Sequence, residues 1–551
     1  MVGVSAVVGS TVLLLHMLGL IQASEGQKEI FALDGKGQPV AWWVVLKLPW
    51  QVRDAQGKYI PTPCDCDKPQ CANVKVDVPE ERKFGLCYLY ADANNPRLRH
   101  FRDVGYDCLG QGGNDPVSHT LRQAKNATYW AIFNDQFNGI AEKQDKRRVC
   151  SGGDAFNAHA KGAVAFELDS GGYVLQSSTP NFPDPTIPTG DSDDDFIRLG
   201  CQHDNNVEYA QHLFAMSVDG EAIKAVGRGW QSARLCSTNH YHDMSQVLAS
   251  AALRHNELEH PMAAALVDPD ADDAPSTNVT VVTKVGSVRI RGLFKDKASA
   301  VPPWAMAAEA FGTDLSVASW WDENFGIPSL CDGDVYGAVA EAFCLKNNPL
   351  TLRPDGTFPY NVENLMQATY VGRTCLAYPG FTTKSRAYDN RTPWRLSCDD
   401  AAAVTWSLRG GRVRDGNHAK WAVGTPRGGS TSPTSQAALS IFADLNMEGY
   451  PCSKKCNGSQ GGRGGSFYGI EDTVLHASLV GLVSDVCKCR PSTSHDDPFV
   501  TFRMCDHGCK NKIHEDFSKD DLPALSNASS SFWGTTDRRR PIVDDSAVAN
   551  S

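Results

Sequence analysis

The chain has 551 residues, a formal net charge of −11 and 18 cysteines. Its length predicts two or three domains, and its acidity excludes a protein that holds a polyanion through overall positive charge. Protonation of all 15 histidines adds 15 charges to −11 and brings the formal charge to about +4. An acid medium would therefore remove much of the repulsion between this chain and a polyanionic substrate.

The first 23 residues predict a secretory signal peptide. An apolar stretch from Val12 to Leu20 ends in Gln22-Ala23-Ser24 and is too short to span a bilayer. No later segment is long and apolar enough either, so we expect a soluble chain that does not contact the membrane after signal removal. Many cysteines and five N-x-S/T sequons fit secretion or delivery to a lysosome or other acidic organelle. The predicted glycosylation sites are Asn126, Asn278, Asn390, Asn457 and Asn527.

Clustered cysteines raise the alternative of a zinc site, which usually needs two paired C-x₂₋₄-C spacings. Because the chain is predicted to be secreted, we expect disulfides instead, and we predict no metal and no other cofactor. The clusters are Cys64, Cys66 and Cys71; Cys452 and Cys456; and Cys487, Cys489, Cys505 and Cys509.

Apolar runs of strand length dominate the first half. Between the runs Gly162–Leu168 and Tyr173–Leu175, the segment Asp169-Ser170-Gly171-Gly172 predicts a hairpin turn, because glycine supplies the positive φ that such turns need. The predicted strands are Val40–Leu48, Leu86–Tyr90, Tyr129–Phe133, Gly162–Leu168 and Tyr173–Leu175.

Each half of the chain carries one H-x-K tripeptide at the start of an apolar run, His159-Ala160-Lys161 and His418-Ala419-Lys420. In a strand, residues two apart point to the same face, so each histidine would lie beside its lysine. Two such faces meeting across a cleft would offer two imidazoles and two ammonium groups, a set able to attack a phosphodiester without a metal. Two exposed polar strand ends would show the same spacing.

The sequence around the two tripeptides is similar. The first hairpin ends at Asn181; the second tripeptide precedes a predicted strand, Ala437–Leu445, that ends at Asn446. This weak internal repeat predicts a pseudo-twofold architecture, so one chain can supply both sites, although a homodimer stays open. A further strand pattern covers Val279–Leu293, and alanine content with an initial proline predicts a helix over Pro303–Phe311.

These features predict five regions along the chain. They are a signal peptide (1–23), a first half with one H-x-K (24–266), an acidic linker or insertion (267–278), a second half with the other H-x-K (279–515) and a polar, disordered tail (516–551).

Several of these segments resemble the deoxyribonuclease II family, in the right order from about residue 31 to about residue 490. The resembling segments are Asp34-Gly35-Lys36-Gly37-Gln38-Pro39-Val40 with the following run to Pro49, Asn134-Asp135-Gln136, His159 through Pro180-Asn181-Phe182-Pro183, His418-Ala419-Lys420-Trp421, Asp444-Leu445-Asn446 and Arg463-Gly464-Gly465.

The resemblance implies an α/β, phospholipase D-like fold of two pseudo-repeated α-β-α sandwich halves with the active site at their interface. It also implies a metal-independent acid endonuclease that leaves 3′-phosphate and 5′-hydroxyl ends on DNA. Phe166 and Thr425 stand where the wider superfamily has aspartate, which argues against a phospholipase D proper. The usual cysteine before Asp34 is missing, so Cys201, which resembles its usual partner, must pair elsewhere or stay free.

Catalysis on a phosphodiester needs a nucleophile, charge neutralisation and a proton donor. The residues leave the two histidines exchangeable; by resemblance, His159 attacks to form a phosphohistidine and His418 acts as general acid and then base. Lys161 and Lys420 would neutralise the phosphate. The predicted substrate-binding residues are Asn181 and Asn446 as donors, Asp444 to orient a histidine, and Arg463 on the DNA backbone.

Two other functions fit the same residues. One is a phosphodiesterase that acts on lipid or other small diesters, and the other is a catalytically silent secreted glycoprotein that binds DNA. The intact H-x-K pairs argue against the second.

Overall fold

In the computed structural model, the described part of the chain consists mainly of β-strands. The described residues are 29–69, 80–135, 158–180, 182–183, 197–201, 207–235, 259–267, 275–296, 302–320, 329–330, 332, 359–378, 395–408, 410, 413–425, 438–447, 463–487, 489 and 543–544. The predicted signal peptide, the acidic segment 268–274 and Asn181 lie outside them, as do Asn390, Asn457 and Asn527.

In the described part of the chain, the first sheet has seven strands, and all strands are numbered in chain order. They are β1 (Trp42–Lys47), β4 (Tyr88–Asp92), β5 (Asn95–His100), β6 (Tyr129–Phe133), β7 (Gly162–Glu167), β8 (Gly171–Ser177) and β9 (Gln211–Val218). The order across the sheet is β5-β4-β1-β9-β8-β7-β6, and every pairing in it is antiparallel.

The second sheet has twelve strands among the described residues and draws mainly on the C-terminal half. They are β2 (Gln51–Arg53), β3 (Tyr59–Pro61), β10 (Thr277–Val282), β11 (Arg289–Lys295), β12 (Asp314–Ala318), β13 (Val362–Tyr378), β14 (Arg395–Ser407), β15 (Trp421–Thr425), β16 (Leu439–Ala443), β17 (Gly465–Glu471), β18 (Val483–Cys487) and β19 (Val543–Asp544). The order is β19-β10-β11-β17-β16-β15-β12-β13-β14-β2-β3, with β18 paired to β13.

Helices are short and fewer than strands in the described residues. The carboxylates of Asp115, Asp219 and Asp472 cap the helices that begin at Pro116, Gly220 and Thr473, which satisfies backbone N–H groups that lack a helical partner. The α-helices are α1 (Pro116–Arg122), α2 (Gly220–Ala233), α3 (Pro261–Val267), α4 (Pro303–Phe311) and α5 (Thr473–Leu482); 3₁₀-helices cover Glu80–Leu86, Phe101–Val104 and Gln123–Asn126.

Several local predictions are confirmed. Strand β6 and helix α4 have the predicted bounds. Strands β7 and β8 form the predicted hairpin, with Gly171 at φ +75° in its turn, where a side chain would be strained. The single strand pattern predicted over Val279–Leu293 is in fact the antiparallel hairpin β10–β11.

The predicted architecture of two α-β-α sandwich halves, the phospholipase D-like α/β fold, is wrong. The chain is mostly β-sheet, and its large sheets are antiparallel or mixed. The sheets contact each other directly: the Phe214 ring of β9 stacks on Phe442 of β16 at 5.7 Å and lies 5.6 Å from Tyr468 of β17. Tight hairpins such as β7–β8 force neighbouring strands to run antiparallel, whereas an α/β layer needs a crossover helix after most strands.

One run of strands has the same order in both sheets. In the first sheet, β1 is followed across the sheet by β9, β8, β7 and β6; in the second, β11 is followed by β17, β16, β15 and β12. The tripeptide His159-Ala160-Lys161 precedes β7, and His418-Ala419-Lys420 precedes β15, so the two lie at corresponding places.

The cysteines whose side chains are described are all disulfide-bonded, as predicted for this chain. Cys64 pairs with Cys87 and Cys66 with Cys108, so neither cysteine of the 64–66 pair is available as a metal thiolate. Cys201 is also disulfide-bonded. In the part of the chain that the structure describes, no helix is long and apolar enough to cross a membrane.

Replacing both Cys64 and Cys87 by alanine is expected to lower the free energy of unfolding by about 3 kcal/mol, because the bridge closes a loop between residues 23 apart. Thermal unfolding of the oxidised protein and the variant measures this. An unchanged melting temperature would contradict the prediction.

Candidate active site

The backbone of each H-x-K tripeptide is bound to the other sheet. The His159 N–H donates to the Gly464 carbonyl at 2.9 Å, and the His418 N–H donates to the Ala210 carbonyl at 2.7 Å. Gly464 and Ala210 lie just before β17 and β9, which correspond in the two sheets. A side chain at Gly464 would place its Cβ 2.0 Å from the Ala233 carbonyl oxygen, so only glycine fits this approach.

Both imidazoles are oriented in the same way. His159 Nδ1 lies 2.7 Å from the Asp444 carbonyl oxygen, and His418 Nδ1 lies 2.9 Å from the Ser178 carbonyl oxygen. A carbonyl oxygen only accepts hydrogen bonds, so each Nδ1 carries a proton and the neutral ring has its lone pair on Nε2. Each ring therefore has the nitrogen chemistry of a nucleophile or a general base at Nε2.

These two carbonyls occupy corresponding positions. Ser178 N–H donates to the His212 carbonyl at 3.0 Å, and Asp444 N–H donates to the Ser466 carbonyl at 3.0 Å. Each histidine is thus held by the strand end that follows the other H-x-K hairpin. Each tripeptide is hydrogen-bonded, through its histidine ring and its backbone, to the sheet that carries the other tripeptide, which brings both to one site.

The lysines are buried near the histidines. Lys161 Nζ lies 2.7 Å from Asp135 Oδ1, and Lys420 Nζ donates to the His418 carbonyl at 2.8 Å. Buried ammonium groups require such partners, and both are positioned to neutralise an anion that enters the site.

A cationic cluster surrounds Asp135, which follows β6. Its Oδ2 lies 3.4 Å from His159 Nε2 and 3.4 Å from the Arg463 guanidinium, while its Oδ1 holds Lys161. Burial would raise the pKa of Asp135, but Lys161, Arg463 and Lys420 together lower it. The carboxylate is therefore ionised and offsets part of the positive charge.

The pKa of each histidine is well below its usual value. For His159, the causes are burial and then Lys161, Arg463 and Lys420; for His418, burial and then Lys420 and Lys161. Both rings are therefore neutral at neutral pH, and an imidazolium forms only in acid. Lys420 lowers the pKa of His159 and Lys161 lowers that of His418, so each tripeptide lies within electrostatic range of the other.

A buried polar chain connects the two halves beneath the histidines. The Lys420 N–H donates to His212 Nδ1 at 3.0 Å, so His212 carries its proton on Nε2, 3.4 Å from Gln176 Oε1. Gln176 donates to the Ser466 hydroxyl, which in turn donates to the Asp444 carboxylate at 2.5 Å. Burial raises the pKa of Asp444 to about 6, so this carboxyl titrates in mildly acid medium.

The structure brings together most of the predicted site residues. His159, Lys161, His418, Lys420 and Arg463 share one site; Asp444 adjoins it, and orients His159 through its backbone carbonyl. Asn446 is buried two residues beyond Asp444, and Asn181 lies outside the described residues. Of the predicted glycosylation sites, Asn126 is exposed and Asn278 is half-buried in β10.

Sequence reasoning missed two members of this site. Asp135 belongs to the Asn134-Asp135-Gln136 segment that carried the family resemblance, which was the available signal. His212 matches no motif in the sequence, and it is fully buried at the centre of the polar chain. Its place on β9 carries no motif, and only the pairing of the sheets shows it.

The change Asp135→Asn is expected to reduce turnover of a phosphodiester about tenfold or more, since it removes the negative charge that positions the buried Lys161 ammonium, and a loss of about 1.4 kcal/mol is tenfold in rate. Asp135 raises the pKa of His418, so its loss should move the acid-to-neutral fall of activity to lower pH. A pH–rate profile of the variant measures both effects. A shift to higher pH would contradict the assignment.

Two neutral imidazoles with unprotonated Nε2 atoms, close to two buried ammonium groups and a guanidinium, suit displacement at an anionic phosphorus centre. Residues 74–343 of the chain, which include His159 and Asp135, match the family model described as Deoxyribonuclease II. No curated protein matches the chain.

Proposed function

We propose that this chain, a member of the deoxyribonuclease II family and a hydrolase of DNA phosphodiester bonds, cuts by a metal-independent histidine mechanism. The main support for this mechanism is the pair of corresponding imidazoles, each held through Nδ1 by a backbone carbonyl. The proposed substrate is DNA, the products are 3′-phosphate and 5′-hydroxyl ends, and the catalytic residues are His159, Lys161, His418 and Lys420.

In the first step, the lone pair of His159 Nε2 attacks phosphorus, and the bond from phosphorus to the 5′ oxygen breaks. Protonated His418 gives its Nε2 proton to the departing oxygen. In the second step, neutral His418 takes a proton from water, the resulting hydroxide displaces His159, and the 3′-phosphate is released. Lys161 and Lys420 neutralise the non-bridging oxygens, a task that a metal ion performs in other nucleases.

The electrostatics support acid activity. Burial and the lysines lower the pKa of His418, so the free enzyme protonates it only at acid pH. An entering phosphate anion would offset the lysine charges and favour the imidazolium. We accordingly propose that the protein works in an acidic organelle or after secretion, as a glycoprotein carrying sugar on sequons such as the exposed Asn126.

Plasmid digestion at mildly acid pH with excess EDTA, followed by end-group analysis, tests the proposal. Cutting that persists in EDTA and leaves 3′-phosphate ends is the expected result. A chiral phosphorothioate should be hydrolysed with retention of configuration, because two in-line displacements invert phosphorus twice. Loss of cutting in EDTA, or inversion, would contradict the mechanism; cleavage of a phosphatidyl diester in preference to DNA would contradict the substrate.

A further inference from the structure

Two aromatic side chains lie beside His418 and take no part in the mechanism above. The Trp320 ring, two residues beyond β12, meets the His418 ring edge-on with centroids 4.9 Å apart. The Tyr209 ring, just before β9, meets Trp320 edge-on at 5.3 Å. All three residues are partly exposed, so this aromatic pair, Trp320 and Tyr209, forms part of the surface next to the histidine.

The aromatic pair corresponds in position to the ion pair beside His159. Phe133 of β6 is paired with Gly162, and Ala318 of β12 is paired with Trp421. Two residues further on, the same register places Asp135 opposite Ala160 and Trp320 opposite Ala419, the middle residues of the two tripeptides.

The second member of each pair also corresponds. Arg463 directly precedes Gly464, whose carbonyl binds the His159 backbone, and Tyr209 directly precedes Ala210, whose carbonyl binds the His418 backbone. Around His159 the two positions hold a carboxylate and a guanidinium 3.4 Å apart. Around His418 they hold two aromatic rings.

This difference matches the asymmetry of a phosphodiester undergoing cleavage. The transferred phosphoryl group is anionic and suits the charged side, whereas the departing nucleoside carries a flat base. Base–aromatic stacking is sequence-tolerant, because every base has a π-face. His418 is the residue that protonates the departing 5′ oxygen in the proposed mechanism, so the aromatic pair lies on the side of the leaving nucleotide.

We propose that Trp320 and Tyr209 form a binding site for the nucleobase on the 3′ side of the scissile phosphate. This inference rests on the proposed function, since it takes the role of His418 from it. The aromatic pair makes the enzyme select nucleotide diesters over diesters that lack a base, and it fixes the direction in which the DNA strand crosses the site.

The test uses short single-stranded DNA with one cleavable phosphodiester, the other linkages being methylphosphonates. Three versions are compared: one with all bases, one with an abasic residue 3′ of the scissile phosphate, and one with it on the 5′ side. For the wild-type protein, the 3′ abasic residue should reduce kcat/KM by roughly 5- to 150-fold, the range for one base–aromatic stack. The 5′ abasic residue should reduce it much less.

The variants Trp320→Ala and Trp320→Phe are then compared with the wild-type protein on the same three substrates. Trp320→Ala should lose about the same factor on intact DNA and nothing further on the 3′ abasic version, where it should match the wild type. That match also shows that the variant is folded. Trp320→Phe should recover most of the loss, because it keeps a π-face. Tyr209→Ala should show the same pattern with a smaller effect.

The outcomes separate the two proposals. Equal cleavage of all three versions by the wild-type protein, or a larger effect on the 5′ side, would overturn the inference and leave the nuclease function standing. A Trp320→Ala defect that is equally large on the 3′ abasic version would also overturn it, because the ring would then act only by positioning His418. No cleavage of any version would overturn the proposed mechanism and the inference with it.

Discussion

Replacing either His159 or His418 by alanine is expected to reduce DNA cleavage on the order of 10⁴-fold or more, since the first change removes a nucleophile and the second a general acid and base. The two variants should differ on a substrate that needs no general acid. On thymidine 3′-(4-nitrophenyl phosphate), where nitrophenolate leaves without a proton, His418→Ala should release one equivalent in a burst and stop as the phosphohistidine. His159→Ala should release none.

Intact mass measurement of the His418→Ala protein after the burst should show an added nucleotide that is lost on exposure to acid, as a phosphoramidate is. The control is His476→Ala on α5. The His476 ring contacts the Gly424 carbonyl at the end of β15 that is remote from His418, and its loss should leave cleavage unchanged. A burst in His159→Ala and none in His418→Ala would reverse the two roles. Equal residual activity in both variants on both substrates would contradict covalent catalysis.

The change Lys161→Met is expected to reduce turnover about 10²- to 10³-fold, since it removes one charge that neutralises the phosphate in the transition state. It should also change the pH dependence. Lys161 lowers the pKa of both His159 and His418, so its removal raises both values. The fall of kcat/KM between acid and neutral pH therefore moves to higher pH, opposite to the shift expected for Asp135→Asn.

The opposite signs make the pair of variants informative, because both break the same Lys161–Asp135 contact at 2.7 Å. A purely structural defect would move the two pH profiles in the same direction or not at all. Lys420→Met should behave like Lys161→Met, since Lys420 also lowers both histidine pKa values. Lys224→Met, which removes an ion pair with Glu221 on the surface of α2, is the matched control and should change neither rate nor profile.

Local elements could be predicted from the sequence because short-range geometry determines them. The alternation and turn chemistry around Gly171 predict the β7–β8 hairpin, and an apolar alanine-rich run after a proline predicts α4. The H-x-K spacing predicted that each lysine lies near its histidine, and Lys420 does lie against His418. A hairpin brings its own ends together whatever the rest of the chain does.

The layer arrangement could not be predicted in this way. The apolar runs of β1, β9 and β16 are buried on both sides, and such runs are compatible with a parallel sheet under helices or with two antiparallel sheets packed together. The expected α-β-α halves followed the first option through a family resemblance. The contact between Phe214 and Phe442 shows two antiparallel sheets packed together, and these two residues lie far apart in the chain.

The sequence by itself identified the groups that we propose act on the phosphate, two histidines and two lysines that each precede an apolar strand, and Arg463 as a proposed DNA contact. Only the tertiary structure decided what surrounds them. The carbonyls that orient the rings, the His212 chain beneath them and the contrast between Asp135 with Arg463 and Trp320 with Tyr209 arise where strand ends of the two sheets meet. Those contacts join residues hundreds of positions apart, and strand patterning contains no information about which distant ends will pair.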